Sequence, residues 1–109
     1  MRRTLNDTTQ VISQSFNASS LNMNFCLEFY YYLSGDAMSL NIYLVSRSLS
    51  NLAWQRDLDH GSSYWWKGEV ELLATREFRY MFEAQTIKNR SQGLIGIDDV
   101  ILRRGQCFK

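Results

Sequence analysis

The chain has 109 residues, 45% of them apolar, 14% aromatic and 21% charged; this excludes a disordered tail and fits one domain that buries about two-thirds of its unfolded surface. Twelve basic residues against eleven acidic ones leave a formal charge of +1, and no stretch concentrates Lys and Arg as a phosphate-binding face requires, which argues against nucleic acid. No run reaches the roughly 18 apolar residues of a spanning helix, so no direct membrane insertion by this chain is expected, and no signal-peptide core follows the basic start Met1-Arg2-Arg3.

The first eight residues carry no apolar alternation and read as a flexible N-terminus, residues 1–8, ahead of one domain over 9–108. Val11 and Ile12 place a strand near Thr9 to Ser15. From Cys26 to Leu33 the apolar residues Leu27, Phe29, Tyr31 and Leu33 recur with period two among residues of high β-propensity. Ser34-Gly35-Asp36 supplies a turn, and Ser39 to Val45 alternates again through Leu40, Ile42 and Leu44, so the two segments read as a hairpin. Ser46 to Ser63 mixes turn-formers with Trp54 and reads as a long ordered loop.

Alternation resumes from Trp65 to Ala74 through Val70 and Leu72. After the Arg76-Glu77 corner, Phe78, Tyr80, Phe82 and Ala84 mark another strand, which suggests a second hairpin. Thr86 to Gly93 is polar loop, and Leu94 to Arg103 is a nearly continuous apolar strand broken only at Asp98-Asp99. Short strands at such spacings, with little helical periodicity, predict an all-β antiparallel sandwich of jelly-roll type.

Cys26 and Cys107 lie 81 positions apart, too far for a local metal knuckle, which leaves two buried thiols or a bridge. A bridge closing such a loop is worth about 4 to 5 kcal/mol before strain. Asn6-Asp7-Thr8, Asn17-Ala18-Ser19 and Asn89-Arg90-Ser91 are glycosylation sequons, of which about one is expected by chance in so polar a chain. Alternation would point one of Asp98 and Asp99 into the core. An unpaired buried carboxylate is too costly, so either it is satisfied at a bulge or strand end, or it helps hold a structural Ca²⁺ or Na⁺.

Trp54, Tyr64, Trp65 and Trp66 either cap the core beneath the long loop or form a binding surface, and adjacent Trp65 and Trp66 must face opposite ways on a strand. His60, the only histidine, sits beside Asp59 and near Ser62 and Ser63, yet no nucleophile elbow, P-loop, dinucleotide or zinc-protease pattern surrounds it. A hydrolase would have to use Asp98, Asp99 or Glu83 as paired carboxylates. The expectation is that the chain is not an enzyme and carries no cofactor.

The order of these motifs resembles the MAM domain, the extracellular module of meprins, neuropilins and mu-type receptor tyrosine phosphatases. Cys26-Leu27-Glu28-Phe29-Tyr30-Tyr31 is similar to its Cys-Leu-x-Phe-aromatic-Tyr strand, and Leu40-Asn41-Ile42-Tyr43-Leu44 to the strand after its Ser-Gly turn. Trp54, Gly61 and Trp65 follow the family's Trp–Gly–Trp order with Trp65 displaced by one residue. Phe82-Glu83-Ala84 resembles Phe-Glu-Gly, and Gly93-Leu94-Ile95-Gly96-Ile97-Asp98-Asp99-Val100 resembles the signature before the final Cys, with Leu94 in place of a polar residue and Gly96 in place of Ala.

The resemblance implies a jelly-roll sandwich lacking the family's opening segment, an oxidised Cys26–Cys107 pair and glycosylation. It also implies a non-catalytic adhesion role in a membrane-anchored or secreted multidomain protein, with cell-surface protein partners, copies of itself among them. The alternative on the same sandwich is a lectin-like carbohydrate binder that stacks a sugar ring on Trp65 or Trp66.

Overall fold

Every strongly alternating segment becomes a strand in the computed structural model, which describes residues 3–6, 9–18, 23–35, 38–47, 49–58, 64–74, 76–86 and 93–107. The strands are β1 (Arg3–Leu5), β2 (Gln10–Ile12), β3 (Met23–Gly35), β4 (Met38–Ser46), β5 (Leu49–Leu58), β6 (Trp66–Ala74), β7 (Arg79–Thr86) and β8 (Gly93–Arg104). They form two four-stranded antiparallel sheets, the first ordered β1-β8-β3-β6 and the second β2-β7-β4-β5. The all-β sandwich expected from the sequence is the architecture observed.

Neither of the two expected hairpins is present. β3 and β4 lie in opposite sheets, and so do β6 and β7. The reason is that each of these strands carries one apolar face. Side by side, such strands would need a separate cover for that face, whereas facing each other across the core they bury it mutually. Phe25, Leu27, Phe29, Tyr31 and Leu33 of β3 thus meet Met38, Leu40 and Ile42 of β4, all buried. The chain leaves the first sheet at Gly35, whose φ of 99° is a conformation that side chains resist.

Two further expectations are corrected. The supposed loop from Ser46 to Ser63 contains β5, which pairs with β4 from Leu49 opposite Ser46 to Leu58 opposite Met38. Its residues are nearly all exposed, so it has no apolar alternation to read; its backbone bonds to β4 alone define it. The supposed flexible start contains β1, with Arg3, Thr4 and Leu5 opposite Ile97, Gly96 and Ile95. One side chain, Leu5, is fully buried and anchors it.

Candidate recognition site

Asp98 and Asp99 owe their position to a β-bulge. β8 pairs with β3 through Tyr30 opposite Asp98 and Glu28 opposite Ile101, so Phe29 alone stands against both Asp99 and Val100. The extra residue reverses the alternation. Before it, Ile95 and Ile97 point into the core; after it, Val100 and Leu102 do. Asp99 takes a left-handed φ of 54°, its backbone N–H donates to Asp98 Oδ1 at 2.9 Å, and neither carboxylate enters the core. The sequence conflict over these two residues is thus resolved by the bulge.

The aromatic residues divide by strand phase. Trp66, first residue of β6, turns inward and meets Tyr31 edge-on at 5.6 Å. Trp54 of β5 also turns inward, edge-on to Phe29 at 5.2 Å and to Tyr31 at 5.7 Å, with the Arg56 guanidinium 5.4 Å from its ring centre. Both therefore cap the core. Of the two roles expected for them, core cap or binding surface, their contacts match the cap. Tyr64 is 62% exposed and lies edge-to-face with Trp66, ring centres 5.8 Å apart.

Trp65 goes the other way. It lies on the outer face of the first sheet against Tyr32, ring centres 4.5 Å apart. Tyr32 in turn rests on Gly96, directly opposite on β8, where a Cβ would come within 2.2 Å of the ring. The Gly in place of Ala in the signature leaves room for the Tyr32 ring against the β8 backbone, and Trp65 meets that ring edge-on. Tyr30, Trp65, Asp98 and Asp99 then line one open concavity of about 360 Å³. Tyr30 was not singled out from the sequence. The signal was there, since alternation along Phe29-Tyr30-Tyr31-Tyr32-Leu33 sends Tyr30 and Tyr32 to the outer face.

Next to this concavity the same face is cross-linked. Arg103 donates through Nε (2.9 Å) and Nη2 (2.6 Å) to Glu28 Oε2, with Lys67 Nζ 4.0 Å from the other carboxylate oxygen. Cys26 and Cys107 form a disulfide with S–S 2.08 Å, and Cys107 N–H donates to Glu71 Oε1 at 3.1 Å. Glu69 lies close to both sulfurs, but the thiols are consumed in the bond and offer no metal-ligand set. Among the described residues no third carboxylate, His or Cys closes on Asp98 and Asp99.

The outer face of the second sheet is built differently. Glu83 accepts hydrogen bonds from Gln10 Nε2 (2.8 Å), the Tyr43 hydroxyl (3.1 Å) and Asn41 Nδ2 (3.4 Å). Asn41 also donates to Gln85 Oε1 at 3.3 Å and accepts from Ser39 Oγ at 3.1 Å. Burial, and then the hydrogen bond and negative charge of Glu83, push the Tyr43 phenol above its ordinary pKa; burial does the same to Tyr80. Glu83 and the Asp98-Asp99 pair thus face solvent from opposite sides of the sandwich and cannot act as paired carboxylates. Asn6 and Asn17 are exposed. Asn89, His60, Gly61, Ser62 and Ser63 lie outside the described residues.

Solved structures share this architecture. A CBM4 carbohydrate-binding module superposes with a TM-score of 0.62 over 95% of this chain and 82% of that one at 11% identity, and TmCBM61, solved in complex with beta-1,4-galactotriose, with a TM-score of 0.52 over 95% and 69% at 12% identity. At such identities the likeness is one of fold. Among curated proteins, MAM domain-containing glycosylphosphatidylinositol anchor protein 1 of Homo sapiens is 31% identical over 96% of the chain. Meprin A subunit beta of Homo sapiens is 33% identical over 75%, and receptor-type tyrosine-protein phosphatase U of Gallus gallus 28% over 86%. The chain spans 11%, 13% and 7% of those three proteins, respectively. The family model for the MAM domain, meprin/A5/mu, matches residues 2–108, and the chain belongs to that family.

Proposed function

We propose that this chain is an extracellular, non-catalytic recognition module of a membrane-anchored or secreted protein, and that it binds protein partners through the outer face of its first sheet. The observation that carries this reading is the concavity in which the outward rings of Tyr30 and Trp65 stand beside the carboxylates of Asp98 and Asp99. Rings beside carboxylates suit a basic side chain of a protein partner, which stacks on the ring and donates to the acid. Copies of the same chain are among the partners in this reading. The disulfide favours an oxidising compartment. The names of the relatives, a glycosylphosphatidylinositol anchor protein and a receptor-type phosphatase, support a place at the cell surface. Asn6 and Asn17, both exposed, carry glycans in this reading.

The test is aggregation of beads coated with the oxidised chain, together with binding to a panel of displayed cell-surface ectodomains. Trp65→Ala and the double substitution Asp98→Asn with Asp99→Asn should abolish whatever binding the parent shows while leaving its melting temperature nearly unchanged. A parent that neither aggregates beads nor binds any ectodomain removes the reading. The same concavity supports a second reading, stacking of a neutral sugar ring on Trp65 with its hydroxyls donating to Asp98 or Asp99. A neutral-glycan array that lights up for the parent and goes dark for Trp65→Ala would favour sugar over protein.

A further inference from the structure

One positive feature of the described residues is invisible in the sequence. Arg47, Arg76 and Arg79 are scattered over more than thirty positions, yet they line one open cleft of about 370 Å³ with Ser15, Val45, Glu77 and Phe78. The strand pairing brings them together. Arg79 stands opposite Val45 on the outer face of the second sheet, since its neighbours Phe78 and Tyr80 point to the core. Arg47 follows two residues later at the turn into β5, in a left-handed φ of 55° that swings the chain out of the strand line. Arg76 belongs to the corner before β7, and Ser46 Oγ donates to the Glu77 carbonyl at 3.3 Å, tying that corner to the end of β4.

The charges in the cleft do not cancel. Its single carboxylate, Glu77, already accepts from the Ser15 hydroxyl. Among the described residues, none of the three guanidinium groups makes an ion pair. Three positive groups against one engaged negative group leave an excess of two in a chain whose formal charge is +1. A cleft of this kind attracts anions, and guanidinium groups favour tetrahedral oxyanions that accept two parallel hydrogen bonds.

We infer that the cleft of Arg47, Arg76 and Arg79 is a binding site for sulfate groups of an anionic polysaccharide. The cleft is open rather than enclosed, which suits successive groups along a chain better than one small molecule. The choice of sulfate rests on the extracellular placement argued above, where sulfated glycans are the abundant oxyanion polymers. The site is separate from the Tyr30–Trp65 concavity, which lies on the outer face of the other sheet.

The experiment uses the intact oxidised chain on immobilised heparin as the sulfated probe, with fully desulfated heparin and double-stranded DNA in parallel. The parent should bind heparin, with affinity falling steeply as salt rises, and should bind the other two at least about tenfold more weakly. The triple substitution Arg47→Ser, Arg76→Ser and Arg79→Ser should cost more than about tenfold in heparin affinity and flatten the salt dependence by up to three ions. A charge-matched control, Arg3→Ser, Lys67→Ser and Arg104→Ser, should cost about twofold or less, because none of the three lines the cleft. Melting curves identify any variant that fails to fold, and Arg79→Lys, which keeps charge but loses the planar fork, gives a milder measure of the same contact. The inference is overturned if the parent ignores heparin, if desulfated heparin or DNA binds equally well, or if the control triple loses as much as the cleft triple. Trp65→Ala should leave heparin binding intact, which separates failure of this site from failure of the proposed recognition surface.

Discussion

The two outer faces occupy equivalent positions on the sandwich and are put to opposite uses. At the centre of the second sheet, short Asn41 and Ser39 are ringed by longer polar side chains, and Asn41 ends 1% exposed within a closed set of hydrogen bonds to Ser39, Glu83 and Gln85. No described buried side-chain polar atom lacks a hydrogen-bond partner. On the outer face of the first sheet, Tyr30 is 37% exposed, and Tyr32 and Trp65 meet edge-on and are only half-buried. A polar face that bonds to itself has little left for a partner, whereas rings held in place by a Gly and a bulge keep apolar area in reach of one. The contrast places recognition by stacking on the first sheet, and leaves the second sheet a role only at its charged end.

Breaking the staple on the first face should have the largest effect. The double substitution Cys26→Ala with Cys107→Ala should lower unfolding free energy by about 4 to 5 kcal/mol, read from urea midpoints, since the closed loop spans 81 positions. An unchanged midpoint would mean that the bridge closes a loop already ordered in the unfolded chain. Next in size is the pair that separates inward from outward rings. Trp66→Ala should cost about 2 to 3 kcal/mol, below the cost at a fully buried Trp because the ring is half-buried, and Trp65→Ala less than about 1 kcal/mol. Equal costs would erase the distinction between the two faces.

On the second face, Asn41→Ala should cost about 1 to 3 kcal/mol, because Glu83 and Gln85 lose a donor and Ser39 an acceptor. A cost within error would show the network to be replaceable by water. The smallest effect is a pH slope. The folded state holds the Tyr43 proton more tightly than the unfolded state does, so stability should be level below the ordinary phenol value of about 10 and fall as pH rises through it. Tyr43→Phe should flatten part of that alkaline slope in melting curves taken at successive pH values.

Legibility in the sequence followed burial. β3, β4, β6 and β7 were readable because each lays alternate residues on the core, so period-two apolarity is imposed on the chain. β5 and β1 were not readable. The first is an edge strand whose side chains face water and the second is held by Leu5 alone, so their backbone bonds left no trace in residue type. At the candidate site, Trp65, Asp98 and Asp99 stood out as residue types, while Tyr30 was marked only by its phase, opposite to that of Phe29 and Tyr31.

The chain by itself determined the all-β class, the family signature from Cys26 to Cys107 and the existence of a conflict at Asp98-Asp99. All three depend on the order and spacing of residues along one segment at a time. Only the tertiary structure decided which strands share a sheet, that a bulge lifts both carboxylates off the core, that Trp54 and Trp66 turn inward while Trp65 turns out, and that three distant arginines meet at one cleft. These depend on pairings between segments far apart in sequence. Such pairings are selected by mutual burial of apolar faces, a property of two strands together that neither strand carries alone.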